Sequence, residues 1–300
     1  MPPALLMVLA TLLFATMGVC VKLASTQYAA SEIVMYRGLV GMAVMALLSR
    51  RQGLALRTRV PGMHLWRSLS GVSALSLWFY AIGQLPLATA MTLNYMSSVW
   101  MALFLLGGAV LLGAQRLDWR LMAAVLLGFA GVALILRPTL DQQQLWYGLA
   151  GLLSGMLSAM AYLQVTALGR AGEPELRVVF YFSLGGAVAG AGITALSVGH
   201  MQTHTLQGAA LLLAVGLLAA AAQVLMTRAY TIGRPLVNAC LQYLGIVFSF
   251  IYGMLLFRDP LTWTATLGML LIIGAGVTAT LLRSRAAPPP KDSQFNPAES

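Results

Sequence analysis

The sequence predicts an all-α integral membrane protein of ten transmembrane helices, arranged as two inverted five-helix repeats with both termini cytoplasmic. Three observations carry that expectation. First, 59% of the 300 residues are hydrophobic and only 9% are charged, against roughly a quarter charged in a soluble domain; the mean hydropathy is +0.83. Second, apolar runs of about 20 residues, the length that crosses a bilayer, recur along the whole chain. Third, one phrase is written twice: Tyr-x-Ile-Gly and then Pro-Leu, at 80–87 and again at 230–236.

The elements follow in order. The opening "MPPALLMVLATLLFATMGV" lacks a basic leader and a cleavage site, so it reads as the first span (4–24) and not as a signal peptide. The second run, 32–49, ends at the loop holding Arg50, Arg51, Arg57, Arg59 and Arg67. Residues 66–113 are one apolar block, too long for a single crossing. "GQLPL" at 83–87 divides it into 66–85 and 88–113, because proline disfavours helix in the residue before it. Spans 119–137, 145–168, 177–198 and 206–228 come next. "IGRPL" at 232–236 turns the chain into 235–257, and 262–283 is the tenth run. The polar, proline-rich 286–300 is expected to be a disordered cytoplasmic tail.

Charge sets the orientation. With the arginine-rich loop inside, as the positive-inside rule requires, the cytoplasmic side collects fourteen of the 18 basic residues. Trp66, Trp119, Trp146 and Trp263 begin spans, as an aromatic belt predicts. The net charge of +10 does not point to nucleic acid, because the basic residues sit in short gaps between apolar runs and form no basic face. Cys20 and Cys240, the two cysteines, lie inside apolar runs and make no disulfide framework or metal motif.

The repeat divides the chain into halves, 1–141 and 142–285. Tyr80-Ala-Ile-Gly aligns with Tyr230-Thr-Ile-Gly, Pro86-Leu with Pro235-Leu, and Leu93-Asn94-Tyr95 with Leu241-Gln242-Tyr243. Each half holds five spans. Five is odd, so the second half enters the membrane upside down, the layout of inverted-repeat transporters that bind substrate near the midplane.

On these residues the chain resembles the EamA-type members of the drug/metabolite transporter superfamily, nearly end to end, as two copies of the domain. The resemblance is carried by Arg37-Gly in span two, the two tyrosine hairpin phrases, the turns "LGAQRLDW" (112–119) and "LFRDPLTW" (256–263), and the glycine-rich ends "GFAGVALIL" and "GAGVTATLL". The chain departs from the family in having Gln115 and Asp259 where a Glu is usual before the last span of each half. It also has Ser98 or Gly245 near where Pro is common in spans four and nine. The resemblance implies a central cavity, peripheral fifth and tenth helices, no cofactor, and export of small metabolites across a bacterial inner membrane. Amino-acid exporters, aromatic ones included, are the subgroup it looks most like.

No acid lies deep in a span; Glu32 and Asp259 are placed at outer mouths, and His64, His200 and His204 in loops. Intramembrane carboxylates usually mark proton pathways, so the reading favours a facilitated exporter of a substrate with little net charge. A proton-coupled drug/metabolite antiporter using Glu32 or Asp259 is the alternative. A nucleotide-sugar or lipid-linked carrier would want several basic residues at depth, and Arg37 is the one candidate. No catalytic constellation or metal set is present for an enzyme.

The expected substrate-binding residues are Arg37, Trp78, Asn94, Tyr95, Ser98, Trp100, Ser158, Tyr162, Gln242 and Tyr243. Asn94 and Ser98 share a helical face, as do Ser158 and Tyr162. Amides facing lipid are costly, whereas serines in spans often only bond their own backbone. The Gly151/Gly155 and Gly186/Gly190 pairs read as packing sites. Gly83, Pro86, Gly233 and Pro235 are expected hinges. Lipid and a small molecule are the expected partners, with no nucleic acid, and the chain is expected to be a monomer.

Overall fold

A computed structural model describes residues 1–111, 120, 123, 126–128, 130–131, 134, 142–197, 201–233, 237–238, 241–259 and 262–286. Among these every regular element is helical: α1 Pro3–Ala24, α2 Ala30–Arg51, α3 Pro61–Gln84, α4 Leu87–Tyr95, α5 Ser97–Leu111, α6 Gln142–Arg170, α7 Glu175–Ser197, α8 Leu206–Ile232, α9 Leu244–Tyr252, a π-helical turn Gly253–Phe257, and α10 Trp263–Ala286. Nine of the ten predicted spans fall on these helices. The fifth, 119–137, lies mostly outside the described residues, and those described within it are helical. The turn at Gln115, Pro235 and the tail from 287 also lie outside them.

Among the described residues six helical stretches are long and apolar enough to cross a membrane: Pro3–Ala24, Ala30–Arg51, Leu87–Gly108, Gln144–Arg170, Glu175–Leu196 and Leu206–Ile232. The fourth predicted span is thus one crossing built from α4 and α5, broken at Met96. There the amide bonds back to both Thr92 and Leu93 carbonyls in a tight turn. α3 is as long as the others but carries His64, Arg67 and four serines, which lower its hydropathy. It also starts five residues earlier than predicted, so His64 and Arg67 belong to a helix and not to a loop.

Helix starts are closed by prolines and by side chains both near and far in the sequence. Proline occupies the first turn of α1 and α3, where its missing N–H costs nothing. Thr205 caps α8 by accepting from the Gly208 amide at 3.0 Å. Glu32 accepts from the amides of Ala29 at 3.3 Å and Gln202 at 2.9 Å, closing the start of α2 and tying it to the loop before α8. Asp259 accepts from the Leu87 amide at 3.1 Å and so caps α4 from the far half of the chain. Its partner turn receives Lys22, whose ammonium donates to the Leu85 carbonyl at 2.6 Å.

Packing follows a regular scheme. α2 lies along α7, α1 along α8, and α3 along α6, with α1 also against α9, α4 against α6, and α4 against α9. Glycines set the closest of these contacts. A Cβ on Gly38 would meet the Ala187 backbone at 2.3 Å, and one on Gly190 the Met35 backbone at 2.5 Å. A Cβ on Gly155 would strike the Leu93 and Asn94 carbonyls at 2.7 and 2.8 Å. Most of the core is one large apolar cluster running through α1, α3, α4, α6 and α8, with a smaller one of Met45, Leu176, Val179 and Ala220 beside it.

Candidate functional site

Inside this bundle is a cavity of about 500 Å³ of space, part of it open to solvent. α3 builds one wall. Arg67, Gly71, Leu75 and Trp78 recur at helical spacing on one face and all reach the cavity. α2 contributes Arg37 and α7 contributes Phe182. α4 adds Asn94 and Tyr95, α6 adds Ser158 and Tyr162, and α8 adds Gln223 and Met226. Phe14 from α1, Ala161 from α6 and Gln242 complete the lining.

Seven of the ten predicted binding residues meet here: Arg37, Trp78, Asn94, Tyr95, Ser158, Tyr162 and Gln242. Ser98, Trp100 and Tyr243 do not. The Ser98 hydroxyl contacts the Tyr243 hydroxyl away from the lining, and Trp100 stacks on Phe104 at 6.3 Å. The amide of Asn94 is spent within the wall, donating to Ser154 at 2.9 Å and Ser158 at 3.3 Å. The Gly151/Gly155 pair permits that approach, so its packing role and the position of Asn94 are one feature.

The polar chemistry of the site is cationic. Both guanidinium groups are buried, with Arg37 3% and Arg67 2% exposed. Both lie over the Phe182 ring, their central carbons 5.0 and 4.2 Å from its centre, within cation–π range. Arg37 Nη2 makes one long hydrogen bond, 3.4 Å, to the Gln223 carbonyl oxygen. Arg37 Nε, Arg67 Nε and Arg67 Nη1 find no acceptor in the protein. Trp78 Nε1, the Tyr95 hydroxyl and the Gln242 carbonyl oxygen are likewise buried without a partner. Buried polar groups are normally satisfied, and here six such atoms stand unpaired on residues that line one cavity.

Aromatic surface frames these groups. Trp78 meets Phe14 edge-on at 6.5 Å. Tyr162 stacks on Tyr230 at 5.2 Å and 17°. No cluster of three metal-ligating side chains stands among the described residues.

Arg67, Phe182 and Gln223 are the residues the sequence reading missed. Arg37 is not the single basic group at depth, because Arg67, counted there with the cytoplasmic loop, enters the cavity from the second turn of α3. The signal was present: Arg67, Gly71, Leu75 and Trp78 fall on one helical stripe once α3 is allowed to begin at Pro61. Nothing in the sequence separates Phe182 from the apolar residues beside it. The predicted hinge residues sit elsewhere. Gly83 packs on Ser25 and Pro86 precedes α4, while Gly233 packs on Pro3.

Away from the cavity, at the arginine-rich end, His64 is buried at the start of α3 and not in a loop. Its Nε2 lies 3.1 Å from the Glu173 carboxylate. Glu173 also accepts from Thr58 at 2.9 Å and Arg177 at 3.1 Å. Burial opposes the charge of Glu173, but the hydrogen bonds from Thr58, Arg177 and His64 outweigh it and hold the carboxyl below its usual range.

Comparison with known proteins agrees with this architecture. Residues 1–137 match the EamA-like transporter family. The pseudopaline exporter of Pseudomonas aeruginosa is 33% identical over 276 residues, covering 90% of this chain and 93% of the exporter. The riboflavin transporter of Rhizobium johnstonii is 28% identical over 277 residues, covering 91% and 89% of the two chains. A crystal structure with 19% identity superposes with a TM-score of 0.66, covering 93% of this chain and 98% of the other, and so shares its fold. The protein is a multi-pass membrane transporter of small molecules, and the chain belongs to the EamA-like transporter family of the drug/metabolite transporter superfamily.

Proposed function

We propose that this protein exports an amino acid or a similar carboxylate-bearing metabolite across the bacterial inner membrane by alternating access. The observation that carries the reading is the pair of buried guanidiniums, Arg37 and Arg67, that line the cavity with unspent donors. Arginine pairs planar carboxylates through two parallel hydrogen bonds. Tyr95, Gln242 and Tyr162 offer oxygens for an ammonium, and Trp78, Phe14 and Phe182 offer aromatic surface for a side chain. The expectation of a substrate with little net charge rests on the absence of acids deep in the spans, and it counts Arg37 as the one basic group at depth. With Arg67 beside it, a substrate carboxylate becomes the central requirement. The likeness to a pseudopaline exporter supports the outward direction.

An inverted repeat of two five-span halves, 1–141 and 142–285, is part of this proposal. The packing scheme supports it. If each span is exchanged for the one five places on, the α1–α8 contact maps onto α3–α6 and the α1–α9 contact onto α4–α6, while α2–α7 and α4–α9 map onto themselves. Such a two-fold relation is what rocking of one half against the other requires. Gly83, Pro86, Gly233 and Pro235 are the proposed pivots, at the turns the repeat shares.

The proposed transport is facilitated and not proton-coupled. Glu32 and Asp259, the acids a coupled mechanism would use, are both engaged as acceptors for backbone amides at helix starts. Reconstitution of the protein in liposomes tests the whole reading. Counterflow of labelled amino acids should proceed without a pH gradient. Absence of flux for every amino acid and related carboxylate would sink the export reading, and strict dependence on a proton gradient would sink the facilitated one.

A further inference from the structure

We infer that the substrate of this cavity carries two carboxylates, one for Arg37 and one for Arg67; this rests on the exporter reading above and sharpens it. Two buried cations face one cavity, and among the described residues neither forms an ion pair with an acid. Glu173 and Glu175 supply the ion pairs among the described residues, and their partners are His64, Arg177 and Arg228. A guanidinium taken out of water without a counter-charge is costly, and two beside each other repel as well. A neutral amino acid brings a single carboxylate with its own ammonium. It would satisfy one arginine and leave the site with two uncancelled positive charges. A dicarboxylate cancels both.

The geometry limits the ligand's size. Both guanidinium carbons stand close to the one Phe182 ring, so they lie within about 9 Å of each other. Two carboxylates reaching them are then joined by a short spacer, roughly two to four carbons long. The free donors are also shared between the arginines: Nε of Arg37, and Nε and Nη1 of Arg67. Each arginine therefore has donors left for a separate anion. Gly71 makes the second seat possible. Arg67 Nη1 occupies the volume its Cβ would take, at 1.8 Å.

The test is transport by the full chain in liposomes, with substrates paired as isosteres. L-glutamate is compared with L-glutamine, and succinate with its monoamide; phosphoserine is included as a different dianion. The expected result is a preference of about tenfold or more for the dicarboxylate of each pair, the scale on which a site rejects an analogue that leaves its buried polar groups unpaired. Arg37→Gln and Arg67→Gln should each reduce that preference towards unity, and Arg67→Lys should keep part of it. Thermal unfolding of each variant in detergent separates loss of selectivity from loss of fold. If the amide partners are carried as well as the acids, the two-carboxylate inference is overturned while the export reading stands. Phosphoserine carried in preference to both acids also overturns it. If the folded wild-type protein moves no carboxylate at all, both readings fall.

Discussion

At the scale of single residues, the glycines separate packing from binding. Gly155 and Gly71 are both in helices beside the cavity, yet a methyl group would meet different neighbours. At Gly155 it meets backbone carbonyls of α4, which cannot move without displacing the helix. Gly155→Ala is therefore expected to destabilise the protein by about 1–3 kcal/mol, read as a lowered unfolding temperature in detergent. At Gly71 the methyl meets the tip of the Arg67 side chain, and the Phe182 ring edge at 3.0 Å. The guanidinium can swing aside, and alanine favours helix over glycine by about 1 kcal/mol. Gly71→Ala should thus leave the unfolding temperature unchanged or slightly raised while reducing flux severalfold. A large loss of stability in Gly71→Ala would show that Arg67 is held as part of the packing and not for a ligand.

At the scale of elements, two ties join parts of the chain far apart in sequence, and each has its own prediction. Asp259 caps α4 across 172 positions. Asp259→Ala should cost about 1 kcal/mol, the usual loss of a helix cap, seen as a lower unfolding temperature. At the arginine-rich end Glu173 gathers Thr58, His64 and Arg177 from the α2–α3 loop, α3 and α7. Hydrogen bonds from Thr58, Arg177 and His64 hold its carboxyl below the usual carboxylate range, against the opposing effect of burial. The sign follows: a depressed folded-state value stabilises the fold above the ordinary carboxylate range, and that contribution is lost as pH falls through the folded value. Glu173→Gln should lower the unfolding temperature at neutral pH, by about 1 kcal/mol of stability. The gap between wild type and variant should close as the pH is taken below the carboxylate range. The elements themselves were legible because apolar length decides them. Most boundaries were met within a few residues, and the Pro86 break was read correctly from proline's effect on its neighbour. Arg67 is not legible as a cavity residue, because a positive charge near a span end reads as loop, and its burial over Phe182 is set by packing that only the fold brings about. The roles of Glu32 and Asp259 were not legible either, since their partners are backbone amides brought together only by the fold.

At the scale of the whole molecule, the ties stand at opposite ends of the bundle and both join the first half of the chain to the second. Leu87 meets Asp259 and the Glu32 carboxylate meets Gln202 at one end. Thr58 and His64 meet Glu173, and Arg177 donates to the Ala55 carbonyl at 2.7 Å, at the other. The cavity lies between them. Carriage of a substrate by rocking of the halves requires one tie to open while the other holds, so covalent closure of either end should stop the cycle. Thr58→Cys with Glu173→Cys tests this at the arginine-rich end, in a Cys20→Ser, Cys240→Ser background that removes both native thiols. The side chains at 58 and 173 are in direct contact, within reach of a short thiol cross-linker. Before cross-linking the variant should transport at a measurable rate. Cross-linking should abolish counterflow, and a cleavable linker should restore it on reduction. Binding from the opposite side should survive, because the cavity residues themselves are untouched. Flux that continues at the uncross-linked rate would mean that this end stays shut throughout transport, and the rocking mechanism would have to be abandoned for this protein.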